Sequence, residues 1–351
     1  MLKVINLYRK QGDFELKNIT FEVRKKEYFV ILGPSGSGKT TILDCIAGLR
    51  KIHSGRILID EQDVTYLPPE KRNVAYVFQA NTLFPHMTVF GNIEYPLKVR
   101  GIQKEKRKHM VIEIAKKLGI EYILNKMPRE ISGGEARRVE LARALVINPS
   151  VLLLDEPLAH LDEPLKKELS LELRKLRKEW NIPIVHVTHD QRIAFMLSDK
   201  IALLQDGRIV EIGDSIKLFL NPRKVYTAKF LGFENIFEGE VISCSDFGSV
   251  IDVHGIKFFV PEKAKGSVKI GFRPEDVIIF KELPTKTSLR NIFEGRIAEI
   301  IPQGPVIMLE VDVGIPIKVL ITRGSLETLK LGVGEKVFIG IKAAAIRILE
   351  D

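Results

Sequence analysis

Gly33, Pro34, Ser35, Gly36, Ser37, Gly38, Lys39 and Thr40 form one unbroken run that reads G-x-x-x-x-G-K-[ST]. Glycines at this spacing let successive backbone N–H groups turn inward around a phosphate. A helix that follows adds its positive N-terminal end. Lys39 then reaches the β- and γ-phosphates of a nucleoside triphosphate. The Thr40 hydroxyl ligates Mg²⁺, and Thr41 follows it in the first helical turn. The context that such a loop needs is there: the apolar run Tyr28–Leu32 precedes it and the helical segment Thr40–Leu49 follows.

Other short apolar runs also end in polar residues. Val74–Phe78 leads to Gln79, Val151–Leu154 to Asp155-Glu156, and Pro183–Val187 to Thr188-His189. In an open parallel sheet, ligands bind beyond the carboxyl ends of the strands. These ends are therefore expected to converge on one nucleotide. Asp155 is placed to hold Mg²⁺ through water, and Glu156 to act as general base or water-positioning carboxylate. His189 is placed to meet the γ-phosphate, and Gln79 to sense the phosphate or the metal. His186 stands three residues before His189, but on a strand those positions point to opposite faces and no cysteine is near, so a zinc pair is not expected. Ser132 followed by Glu135 is a capping box that opens a helix to about Val146. Capping leaves Gly133 and Gly134 unexplained, and small residues there let a phosphate approach the helix end.

The elements that must hold these residues follow from the pattern. Residues 1–230 alternate short Val/Ile/Leu runs with amphipathic segments, an α/β layout with a mostly parallel sheet. Ile201–Leu204 and Arg208–Glu211 flank Gln205-Asp206-Gly207 as a hairpin. Leu165, Leu169, Leu173, Leu176 and Trp180 share one face of a helix over 164–180. From about 231, short β-branched runs separated by Gly and Pro take over. Asn235-Ile236-Phe237-Glu238-Gly239 recurs as Asn291-Ile292-Phe293-Glu294-Gly295, and Val268–Arg273 is echoed by Val337–Lys342. A duplicated small β-barrel is expected, with halves at about 233–280 and 285–350.

The 351 residues carry a net charge of +9, with 45% hydrophobic and 28% charged residues, which excludes a disordered chain. Residues 1–230 hold 39 Lys+Arg against 28 Asp+Glu, and 231–351 hold 15 against 17. The basic excess thus belongs wholly to the first region, in runs such as Lys104–Lys108 that read as solvated helix faces. The motifs give no support for nucleic acid as partner. Cys45 and Cys244 cannot build a disulfide framework or a four-cysteine metal site. The N-terminal residues lack the apolar core of a signal peptide, and no run approaches a membrane span, so a cytoplasmic protein is expected.

Taken in order and spacing, Gly33–Thr40, Gln79, Ile131–Glu135, Asp155-Glu156, Leu161-Asp162 and His189 resemble the nucleotide-binding subunit of an ATP-binding-cassette (ABC) transporter, over residues 1 to about 230. The resemblance implies a homodimer closed head to tail over two ATP molecules. Ser132, Gly133, Gly134, Glu135 and Asp162 of one subunit would face the nucleotide of the other. Thr40, Gln79 and Asp155 would hold Mg²⁺. A helical subdomain at about 85–150 would begin in the segment from Gln79 through Asn81 to His86, and receive a short helix from one of two integral-membrane permease subunits. Three positions depart from the family pattern. Ile131 and Glu135 replace its usual Leu and Gln. Gln11 stands where an aromatic stacks on adenine, with Tyr8 or Phe14 as substitutes. His160 falls where the subunits should meet.

Ser288–Asn291, Ile321–Ser325 and Ile341–Ala344 resemble the molybdate-binding "Mop" type of the transport-associated OB (TOBE) fold, with a more divergent copy at 233–280. That resemblance implies a site for a tetrahedral dianion built from Ser288, Arg290, Asn291, Thr322, Ser325 and Lys342, which are suitable donor types. As a whole the chain is similar to the ATPases of molybdate/tungstate importers. Such subunits lie at the cytoplasmic face of the membrane and meet an external oxyanion-binding protein only indirectly. Bound oxyanion could hold the ATPase halves apart. Sulfate, iron, polyamine or sugar is the alternative cargo. A ribosome- or DNA-directed ABC protein fits less well, because the chain has one phosphate loop and no sustained heptads.

Overall fold

The computed structural model describes residues 1–351 except 81 and 160, and except the side chains of 176–179. Asn81, His160 and the side chain of Leu176, all singled out above, therefore lie outside what is described. The chain forms two compact units, Met1–Ile216 and Lys217–Asp351. This division falls earlier than the change of composition at 231, because the segment after 216 packs with the second unit. Arg273 donates to Phe219 O (2.7 Å) and Leu231 O (3.3 Å). Its guanidinium lies over the rings of Phe219 and Phe233, at 3.8 and 4.8 Å.

The first unit begins with β1 (Leu2–Gln11), β2 (Phe14–Val23) and β3 (Tyr28–Leu32). Next come α1 (Lys39–Ala47), β4 (Ser54–Ile59), β5 (Gln62–Asp63) and β6 (Val74–Val77). The helices α2 (Val89–Val99), α3 (Lys104–Lys117) and α4 (Gly133–Leu145) follow. The unit continues with β7 (Val151–Asp155), α5 (Glu163–Glu179), β8 (Ile184–Thr188) and α6 (Gln191–Leu197). It closes with β9 (Lys200–Gln205) and β10 (Arg208–Asp214).

The larger sheet has the order β10-β9-β3-β8-β7-β6, and all neighbours except β10 and β9 run parallel. Every residue of β3, β7 and β8 is buried, as strands covered on both faces must be. Their register sets Leu32 beside Thr188, and Leu154 beside His186 and Val77. The ends that carry Gly33, Gln79, Glu156 and His189 therefore share one edge. The β9–β10 hairpin turns at Asp206 and Gly207, with φ of 44° and 72°, a two-residue turn that needs left-handed backbone. A second, antiparallel sheet, β2-β1-β4-β5, was not legible as such in the sequence.

The phosphate-loop helix α1 starts at Gly38 and stops at Gly48, both left-handed. Arg72 caps its far end by donating to Cys45 O and Ile46 O, at 2.8 and 2.9 Å. A cation there complements the helix dipole and satisfies carbonyls that the helix leaves open.

The chain crosses the boundary in α7 (Ser215–Leu220), followed by α8 (Val225–Phe230). The second unit then holds β11 (Asn235–Ser245), β12 (Gly248–Val253), β13 (Ile256–Val260), β14 (Ser267–Phe272) and β15 (Val277–Phe280). Its second series is β16 (Asn291–Gln303), β17 (Val306–Asp312), β18 (Pro316–Thr322), α9 (Arg323–Thr328), β19 (Lys336–Ile341) and β20 (Arg347–Leu349). The two Asn-Ile-Phe-Glu-Gly segments open equivalent strands: Ile236 pairs with Gly271, and Ile292 with Gly340.

The halves expected at 233–280 and 285–350 are not self-contained. The sheets are ordered β13-β12-β11-β14-β20 and β15-β19-β16-β17-β18, so each series lends its last strand to the other. One hydrophobic core runs through both, from Ile251 to Ile346. A short barrel with a single small core is marginal alone, and exchange of strands lets two share one.

Candidate nucleotide site

The strand edge frames an open cleft of about 500 Å³. Ser35, Gly36, Gly38, Lys39, Thr40 and Thr41 line it from the loop and α1. Gln79, Glu156 and His189 line it from the strand ends, and Gln11, Phe14 and Arg50 complete it. Of the residues expected around the phosphates, Pro34 is exposed, while Gly33 and Ser37 lie buried beneath the loop. A Cβ at Gly33 would come within 2.3 Å of Leu204 O, so the loop can follow this path only with glycine there.

Lys39 Nζ donates to Gly33 O and Pro34 O, each at 2.9 Å. Burial holds its pKa below the usual lysine range, and the charges of Glu156 and Asp155 oppose that shift. The Thr40 hydroxyl donates to Asp155 Oδ1 at 3.0 Å. Asp155 does not line the cleft but sits buried behind Thr40. Burial pushes its carboxyl up, while Thr40 and Tyr76 counter by hydrogen bonding. Thr40, Asp155 and Gln79 together offer oxygen donors only, which fits a hard cation such as Mg²⁺ bound mainly through phosphate and water.

Glu156 follows β7 with a left-handed φ of 44°, uncommon for a residue with a side chain. Its N–H still bonds Val187 O at 3.0 Å, so strand pairing fixes the strained residue. The carboxylate lies 2.8 Å from His189 Nδ1, with Glu156 largely buried and His189 exposed. A carboxylate at the cleft wall can take a proton from water, and an imidazole bonded to it can orient it. His186 is instead fully buried on β8 and bonds Tyr28 Oη at 2.9 Å.

Ser132, Gly133, Gly134, Glu135 and Asp162 do not line this cleft. Ser132 caps α4: its Oγ accepts from Glu135 N at 3.3 Å, and Glu135 Oε2 accepts from Ser132 N at 2.7 Å. Tyr122 donates to the other Glu135 oxygen at 2.8 Å. These bonds, the one from Ser132 N–H first, hold the Glu135 carboxyl below its usual pKa. A Cβ at Gly134 would meet Leu165 at 2.8 Å, so that glycine serves helix packing. Gly133 has open space above it, the nearest atom being Leu161 Cδ2 at 4.0 Å. Asp162 Oδ1 accepts from Leu165 N at 2.9 Å, at the start of α5.

Sequence reasoning left the aromatic at the cleft open between Tyr8 and Phe14. Phe14 lines the cleft, whereas Tyr8 faces His53 with ring centroids 5.9 Å apart. Arg50 was missed. It donates to Asp44 Oδ2 (2.7 Å) and to Gln11 Oε1 (2.5 Å), and its signal was its place two residues beyond the helix-ending Gly48.

The residues named for an oxyanion do not gather by hydrogen bonding. Among the described residues, the one such bond between their side chains joins Thr322 Oγ1 and Ser325 Oγ at 2.9 Å, where Thr322 caps α9. Arg290 lies over the Phe259 ring at 4.4 Å, Lys342 precedes a short 3-10 turn, and Ser288 is exposed. Asn291 is taken up by the fold. It is fully buried, and its amide accepts from Phe259 N (2.7 Å) and donates to Phe259 O (3.0 Å).

The phosphate loop, the helix-capping signature and the strand-end carboxylates on a parallel sheet define an ATP-hydrolysing cassette. The ABC transporter profile matches residues 16–159 and the TOBE domain profile 287–348. The chain is 44% identical over 349 residues to the molybdate/tungstate import ATP-binding protein WtpC of Pyrococcus abyssi, covering 99% of this chain and 100% of that one. It is 39% identical to the spermidine/putrescine import ATP-binding protein PotA of Thermotoga maritima, over 86% of this chain and 84% of that one. Among solved structures, cbiO1 of Clostridium perfringens, part of an ABC transporter complex, superposes with a TM-score of 0.58 at 30% identity. That match covers 62% of this chain and 90% of the other. The chain belongs to the ABC transporter family and is an ATPase that uses ATP with Mg²⁺.

Proposed function

We propose that this chain is the ATPase subunit of a molybdate/tungstate importer. The observation that carries the ATPase chemistry is the Glu156–His189 pair at the wall of the cleft that holds Lys39 and Thr40. The cargo reading rests on the full-length likeness to the Pyrococcus protein. The phosphate-loop amides and Lys39 would bind the phosphates, Thr40, Gln79 and Asp155 would hold Mg²⁺, and Phe14 would stack on adenine. Mg²⁺ supplies charge neutralisation at the γ-phosphate. Glu156 takes the proton of the attacking water, and His189 orients Glu156.

Ser132, Gly133, Glu135 and Asp162 act in a second copy's site, since they lie away from the cleft of their own chain. A post-hydrolysis cassette solved as a dimer with ADP and phosphate supports this (TM-score 0.54, 32% identity, 61% of this chain and 99% of that one). Permease subunits would dock in a groove of about 390 Å³ lined by Phe78, Phe84, Tyr95, Arg143 and Ile147. No described helix is long and apolar enough to cross a membrane. The chain would act peripherally at the cytoplasmic face, meeting an oxyanion-binding protein only through the permease.

Ser288, Arg290, Thr322, Ser325 and Lys342 would form the regulatory oxyanion site. A thermal-shift series on the full chain tests the cargo reading. Tungstate and molybdate should raise Tm by ligand linkage, and sulfate and phosphate should not. Equal shifts for all four, or none, would remove it.

A further inference from the structure

Tyr76 stands on β6, half-buried, and lines the groove. Its hydroxyl lies 3.2 Å from Asp44 Oδ1 and 3.3 Å from Asp155 Oδ2. Both carboxylates are buried, Asp44 on α1 and Asp155 at the end of β7. A phenol has one hydrogen to give. With both carboxylate oxygens within 3.3 Å, that one hydrogen can be given to either.

Each carboxylate is fixed on its other oxygen by a residue that lines the cleft. Asp155 Oδ1 receives the Thr40 hydroxyl at 3.0 Å, and Asp44 Oδ2 receives Arg50 Nε at 2.7 Å. Thr40 and Arg50 both line the cleft. Tyr76 therefore closes a chain of hydrogen bonds that runs Thr40, Asp155, Tyr76, Asp44, Arg50. Its ring is held in place by stacking on Phe78, with centroids 4.2 Å apart and planes at 26°. Among the described residues no other side-chain donor reaches Asp155 Oδ2.

We propose that Tyr76 is a positioning residue of the Mg²⁺ site, which sets the orientation of Asp155 by sharing its hydroxyl hydrogen between Asp155 and Asp44. The inference rests on the reading that Asp155 helps to hold Mg²⁺. A buried carboxylate with only one oxygen bonded can rotate about its Cβ–Cγ axis. The phenol pins the second oxygen, so the first stays aligned with Thr40. Loss of a group that orients a metal ligand from behind typically costs about 10–100-fold in metal affinity; Asp155 stands so to Thr40, and Tyr76 holds Asp155 in turn.

The test measures binding, not turnover. The dissociation constant of a fluorescent ATP analogue is titrated on the full chain with and without Mg²⁺, for the parent, Tyr76→Phe and Asp155→Asn. Tyr76→Phe removes only the hydroxyl and keeps the stack on Phe78. It should raise the half-saturating Mg²⁺ concentration by about tenfold while metal-free affinity stays within about twofold. Asp155→Asn should raise it at least as far. Tyr76→Met also lacks a donor and should give the same shift, so a folding failure of one variant leaves the test standing. If Asp155→Asn shifts the Mg²⁺ dependence and the Tyr76 variants do not, the positioning role is overturned and the Asp155 reading survives. If Asp155→Asn shifts nothing, both fall. An equal loss with and without Mg²⁺ would mark Tyr76 as merely structural.

Discussion

His189 Nδ1 lies 2.8 Å from the Glu156 carboxylate, a contact between residues that follow adjacent strands β7 and β8. One partner has a strained backbone, with φ of 44°, and the other is exposed to the cleft. His189 is thus placed to orient a carboxylate that is itself largely buried. His189→Ala should therefore lower kcat by on the order of 10²-fold and leave ATP affinity within about threefold. Steady-state kinetics with a parallel binding titration would show this split.

The capping box at α4 makes Ser132 a structural residue as well as a candidate phosphate contact. Ser132→Ala should cost about 1 kcal/mol of stability, read from urea unfolding. Glu135→Gln restores the residue that the family usually has and keeps an acceptor for Ser132 N–H. Its unfolding midpoint should stay close to that of the parent.

Asn291 and Asn235 form a matched pair. Asn235 brackets Lys318 of β18, accepting from its N–H at 2.8 Å and donating to its C=O at 2.9 Å, as Asn291 brackets Phe259 of β13. Each repeat thus clasps the other's third strand. Asn291→Ala leaves the part-buried N–H and C=O of Phe259 unpaired, at about 1–3 kcal/mol, and Asn235→Ala should cost a similar amount. Calorimetry without added oxyanion checks both. A loss for Asn291 that appeared only with oxyanion present would contradict the structural assignment.

Burial depresses His186 to about 3. The ordinary histidine value is about 6.5, so the unfolded chain takes up this proton first. Stability from this site is complete above about 6.5 and falls as pH drops toward 3, by about 1.4 kcal/mol per unit. His186→Gln keeps an acceptor for Tyr28 and removes the titration. Its stability should fall less steeply than that of the parent between pH 6.5 and 4.5, as read from denaturant midpoints across that range.

Residues close in sequence were the most legible. The strand Tyr28–Leu32, the Asp206-Gly207 turn and the Ser132–Glu135 cap each rest on local backbone chemistry, and each is found where its residues require it. The strand ends were legible because parallel strands align their carboxyl ends. What escaped was set by distant packing. The exchange of β15 and β20 between the two repeats depends on a shared core that no single segment encodes. Asn291 was named through the resemblance of Ser288–Asn291 to the Mop type, and only its partner Phe259 shows that the amide is already used. Arg50 and Tyr76 are joined to each other through Asp44, which carries no motif of its own.

Phosphate release from Mg·ATP by Glu156→Gln decides whether Glu156 activates the attacking water. Gln preserves the shape of Glu156 but cannot accept the proton of water. The expected result is a rate lower by at least about 10²-fold with ATP affinity retained. Turnover within about twofold of the parent would contradict the role given to Glu156, and with it the account of how this cleft hydrolyses ATP.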